Sequence, residues 1–142
     1  MDSIISQKSL TFAVRIVKAA KYLQKEKHEY ELAKQLLRSG TAIGANVAES
    51  KYAQSDADFI SKLKIALKES SETRYWLKLL ELTDILTKDE AGSLEKDVTE
   101  LIKILTAIIK TTQSKAAEKD DEAAEATKAT VEVMAEKRTV KA

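Results

Sequence analysis

The stretch Leu36-Leu37-Arg38-Ser39-Gly40-Thr41-Ala42-Ile43-Gly44-Ala45-Asn46-Val47-Ala48-Glu49 decides the fold. Leu36, Gly40, Ile43 and Val47 recur at helical spacing, while Gly40, Gly44 and Ala48 form a ridge without bulk over which another helix can approach closely. A glycine inside a helix costs roughly 1 kcal/mol relative to alanine, so two of them here need a reason. Close packing supplies one.

The surrounding composition agrees with a helical protein. The chain has 142 residues, no proline, three glycines and 44% hydrophobic residues. That length fits one domain with a useful core, and the Ala, Leu, Ile, Lys and Glu background points to an all-α fold. Basic and acidic side chains nearly cancel, 24 against 23, so no global field favours nucleic acid or an anionic membrane. The lack of cysteine removes disulfides, thiolate zinc sites and cysteine nucleophiles, and suits a reducing compartment. The opening Met1-Asp2-Ser3-Ile4-Ile5-Ser6 does not read as a secretory leader, and no apolar run approaches the roughly 20 residues that cross a bilayer. The expected location is the cytoplasm.

Working outward, four amphipathic segments emerge. The first is expected to start with Ser9 as N-cap and to reach about Gln24, with Phe12, Ile16, Ala19 and Leu23 on one stripe and Lys18 and Lys21 off it. The second spans about Tyr30 to Tyr52. Ser55 caps the third, which runs to about Ile85 with Phe59, Leu63, Ala66, Ser70, Thr73, Leu77 and Leu80 as its seam. Thr87 caps the fourth, where Leu94, Val98, Leu101, Leu105 and Ile108 give the strongest periodic signal in the chain. Short connections make this an antiparallel up-down-up-down four-helix bundle over residues 9–114. Residues 115–142 are rich in Ala, Glu and Lys with little to bury, a C-terminal tail expected to be a solvated helical extension or disordered.

The search for chemistry finds no catalytic constellation, no metal site and no cofactor site. His28 sits in a charged connection without a second histidine or a cysteine. Glu69 and Glu72 share a face, but pairing with Arg38 or Arg74 outweighs acid-base work. Asn46 reads foremost as a polar contact to a neighbouring helix, fixing register. Arg38, Glu49, Glu69 and Glu72 are the other candidate polar contacts between helices or subunits. Ile65, Trp76 and Leu79 form a second apolar patch on the third helix, away from its seam, which suggests an oligomer interface. Lys18, Lys21, Lys25 and Lys27 are the candidate nucleic-acid contacts, although a solvated basic face is the commoner meaning of such a run.

The motif from Gln35 to Glu49, followed by Phe59-Ile60-Ser61-Lys62-Leu63 and Lys68-Glu69-Ser70-Ser71-Glu72-Thr73-Arg74-Tyr75-Trp76-Leu77, resembles the bacterial four-helix bundle proteins encoded in 23S rRNA intervening sequences, often labelled S23-like. The likeness runs from about Lys8 to Thr112. It implies an antiparallel bundle without catalytic residues that assembles as a homopentamer. A protein similar in fold, the accessory variability protein of diversity-generating retroelements, is strongly basic and works with a reverse transcriptase and nucleic acid. The sequence therefore points first to a non-enzymatic, self-assembling scaffold or interaction module, and second to a nucleic-acid-binding accessory protein.

Overall fold

The computed structural model describes residues 3–141. Four helices follow one another: α1 (Ile4–Lys25), α2 (Glu31–Ser50), α3 (Asp56–Leu82) and α4 (Lys88–Lys141). Each packs antiparallel against the next, and α4 returns beside α1, so contacts run round the bundle and not across its diagonals. The centre is filled by Phe12, Ile16 and Leu23 of α1, Leu36, Ile43 and Val47 of α2, Leu63, Leu77 and Leu80 of α3, and Val98, Leu101 and Leu105 of α4. Full burial of side chains of this size contributes about 1.5–3 kcal/mol each.

The helix boundaries show local chemistry at work. Ser55 caps α3 by accepting from the Asp58 amide at 3.0 Å, and Asp56 and Asp58 favour the positive end of the helix dipole. Thr87 and Glu90 form a reciprocal capping box on α4: Thr87 N donates to Glu90 Oε1 at 2.8 Å, and Glu90 N donates to Thr87 Oγ1 at 3.1 Å. Donation from the Thr87 backbone is the main cause holding the Glu90 carboxyl below its ordinary range. His28, at φ 53°, and Asp84, at φ 60°, turn the chain left-handed at the ends of α1 and α3. There Glu29 N reaches Leu23 O at 2.9 Å and Ile85 N reaches Leu80 O at 3.0 Å, satisfying carbonyls that the helices leave open. The lone histidine thus ends a helix.

Some expected boundaries are corrected. α1 begins six residues before the expected position: Ser3, not Ser9, is its N-cap, accepting from Ser6 N at 3.2 Å. The extra turns bury Ile5, and Ser9 lies inside the helix, 1% exposed. α2 stops at Ser50 and α3 at Leu82, each short of the expected end. Past Ser114, α4 continues as helix through the Ala- and Glu-rich residues to Lys141, 54 residues in all, so of the two states expected for the tail it takes the helical one. At 1.5 Å per residue that is about 80 Å. From Ala117 to Arg138 every residue is exposed.

Candidate functional site

The small-residue ridge of α2 meets α1. A Cβ on Gly40 would lie 2.8 Å from both Cγ1 and Cγ2 of the buried Ile16, and one on Gly44 would lie 3.3 Å from the Ser9 carbonyl oxygen. Gly40 therefore permits an isoleucine to fill the crossing, and Gly44 pairs with a second small residue where the backbones draw together. Ala48 differs from both: it is exposed and lines a groove of about 310 Å³ with Leu10, Ala13, Gly44 and Ala45.

On the α3 side, the expected polar residues are brought together in part. Arg38 Nη1 lies 3.2 Å from Glu69 Oε2, and its Nη2 donates to Glu72. Hydrogen bonding from Arg38 is the main cause that holds Glu72 below the usual carboxylate range and raises Arg38 in turn. The Arg38 side chain is 52% exposed, so this is a surface network and not a buried ion pair. Arg74 lies 4.0 Å from Glu95, joining α3 to α4, and Glu49 lies 3.3 Å from Lys62, joining α2 to α3 about three turns beyond Arg38. Trp76 Nε1 is buried without an acceptor at hydrogen-bonding geometry, although its position helps to keep Glu72 charged.

Asn46 takes a different role from the expected one. Its Nδ2 donates to Ala42 O of its own helix at 2.8 Å, because from the border of the core the amide reaches back one turn more readily than across to α3. The polar contact that does cross the core is Ser39 with Thr73. Their hydroxyl oxygens are 2.9 Å apart and both residues are fully buried, with Thr73 also 2.8 Å from Glu69 O. Sequence reading placed Thr73 on the seam and gave the crossing to Asn46; Ser39, seven residues earlier on the same side of α2, carries it instead.

Two apolar faces remain open on either side of α2. On α3, Ile65 is 39% exposed, whereas Trp76 and Leu79 are half-buried and Trp76 packs on the core. Tyr75 stands beside Trp76 edge-on, at 5.0 Å between rings, and leaves most of its own ring in solvent. The second face was missed by sequence reading. Leu10 of α1, 66% exposed, projects beside Ala13, Ala45 and Ala48, and Val14, 48% exposed, follows it one turn along α1. Starting the helix at Ser9 hid the signal, since Leu10 then fell at an end where exposure needs no reason.

Lys18, Lys21, Lys25 and Lys27 are all exposed along the C-terminal half of α1 and just past it. Lys18 borders a groove shared with Asp89 and Glu90 of α4, and Lys27 lies 6.0 Å from the centre of the Tyr22 ring. Acidic side chains thus sit among the basic ones. The seam between α1 and α4 is likewise bridged by charge, with Lys8 against Glu100 and Arg15 against Asp97 and Ser93. Among the described residues no group of three or more His, Cys, Asp or Glu is placed to hold a metal ion, and no helix is long and apolar enough to cross a membrane.

Helices packed in this order, with charge at their seams and apolar surface on two sides, define an antiparallel four-helix bundle. The chain belongs to the 23S rRNA-intervening sequence protein family, whose model matches residues 1–107. A solved structure, a protein of unknown function from the S23 ribosomal protein family of Bacteroides thetaiotaomicron VPI-5482, is 53% identical with a TM-score of 0.75. The match covers 75% of this chain and 99% of that one. No curated protein matches the sequence.

Proposed function

We propose that this protein is a non-enzymatic bundle that assembles with copies of itself and acts as a cytoplasmic scaffold or interaction module. The observation that carries the reading is the pair of separate apolar faces, Leu10 with Val14 on one side of α2 and Ile65 with Trp76 and Leu79 on the other. A two-fold dimer needs one self-complementary patch, whereas a closed ring needs two different patches on each subunit, the first of one copy meeting the second of the next. Two faces flanking one helix supply that pattern. Five subunits is the number that the resemblance to the S23-like bundles implies.

Nucleic-acid binding receives less support, because Lys18 and Lys27 sit near Asp89 and Glu90 and the net charge is only +1. Sedimentation of the full chain at micromolar concentration tests the assembly. A mass several times that of the 15.8 kDa chain is expected; a monomer throughout the concentration range would overturn the proposal.

A further inference from the structure

The fourth helix outruns its partners. The side of α4 that packs in the bundle through Leu94, Val98, Leu101, Leu105 and Ile109 continues as Ala116, Ala123, Thr127 and Met134, with Ala124 and Val131 widening it. No helix covers that continuation. α3 begins at Asp56, whose carboxylate lies 3.4 Å from Lys119, and beyond that point Val131 is 59% and Met134 55% exposed. The family match ends at residue 107, so the extension lies outside the matched region. Most helical stability in proteins comes from packing of an apolar face, so the uncovered side gives the extension reason to pair.

Two charges interrupt the apolar side, and they identify the partner. Asp120 and Arg138 stand on that same side, about five turns and 27 Å apart, too far to meet within one chain. Place a second copy of the extension antiparallel, with Asp120 level with Arg138 of that copy. The same register sets Ala124 against Met134 and Thr127 against Val131 in both directions. A single alignment therefore pairs opposite charges and apolar side chains together. Parallel pairing in register would instead set Asp120 against Asp120 and Arg138 against Arg138, which is repulsive at both ends.

We propose that residues 116–138 pair antiparallel with the same segment of a second copy of this chain, held by a seam of Ala124, Thr127, Val131 and Met134 and closed at each end by Asp120 with Arg138. This link is separate from the faces that flank α2, and it would join one bundle, or one ring of bundles, to another. Because the sequence contains no cysteine, introduced thiols report on it directly. Full-length Ala124→Cys and Met134→Cys proteins, mixed and mildly oxidised, should give a mixed disulfide dimer several-fold more abundantly than either protein alone. It should also exceed the product from Glu122→Cys, which lies on the opposite side of the helix. Adding Arg138→Asp to both proteins should reduce the mixed product several-fold, and adding Asp120→Arg as well should restore it. Self-linking of Ala124→Cys as strong as the mixed product, linking no better than that of Glu122→Cys, or indifference to the charge reversals would each overturn the proposal.

Discussion

The three glycines stand in three different surroundings, and alanine scanning separates them. At Gly40 the new methyl would press on two carbons of the buried Ile16 at 2.8 Å. Overpacking of about 1–3 kcal/mol then outweighs a helix-propensity gain of about 1 kcal/mol, so Gly40→Ala should lower the melting temperature. At Gly44 the nearest atom is a backbone carbonyl oxygen at 3.3 Å, and gain and strain should nearly cancel. Gly92, inside α4 with nothing within 4 Å, should gain stability as alanine, by about 1 kcal/mol. A rise in melting temperature for Gly40→Ala would remove the packing role of the ridge.

Arg38 lends itself to a test by pH. The folded Glu72 carboxyl titrates below its ordinary range because Arg38 bonds it. Its stabilising effect is therefore complete above the ordinary carboxylate range and is lost as pH falls through the lowered folded value. Arg38→Ala should cost less than about 1 kcal/mol near neutral pH, since the arginine is half in solvent, and the difference from the natural protein should vanish in strong acid. Melting curves across that range check it. A fall in assembly mass on the same substitution would place Arg38 in a subunit contact. The partnership itself was legible in the sequence, because Glu69 and Glu72 recur at helical spacing and an arginine stands in the neighbouring helix. Asn46 was not legible in the same way: an amide at the edge of a core can bond backward or across, and only the distance between helices decides.

For whole elements, apolar periodicity was sufficient where both neighbours bury a helix. Leu63, Ala66, Ser70, Thr73, Leu77 and Leu80 are all buried as the third helix's spacing requires, with Phe59 at the start of that seam only half-buried, and Leu94, Val98, Leu101 and Leu105 are buried in the fourth. Ile109 rather than Ile108 closes the latter seam, as expected when a helix of 3.6 residues per turn drifts from a strict seven-residue repeat. Ends were less legible. Ser3 and Ser9 are both serines before apolar residues, and the choice between them rested on whether Ile5 found a core, a tertiary fact. At α4 sequence and structure coincide on Thr87 as the cap, and the structure adds Glu90 as its reciprocal partner. Thr87→Ala removes one side of that pair and should destabilise the bundle by about 1 kcal/mol in thermal or denaturant melts. An unchanged midpoint would show that α4 is held at its start by packing alone.

In the molecule as a whole, apolar side chains stand exposed on either side of α2, and the proposed assembly would cover both faces. Composition indicated the bundle but not this arrangement, since Leu10 joins Ala45 and Ala48 in one surface only when α1 and α2 are placed side by side. Self-assembly through unlike faces has a specific consequence for mixtures. Leu10→Glu spoils one face and leaves the other intact, and Ile65→Glu does the reverse. The most direct measurement is the sedimentation mass of each full-length variant alone and of the two in equal amounts. Under conditions where the natural chain is a ring, each variant alone should lose it, and the mixture should recover one sound interface per pair as a species heavier than either variant by itself. Leu10→Glu or Ile65→Glu retaining the full ring mass, or a mixture that behaves as the sum of its parts, would contradict assembly through these two faces.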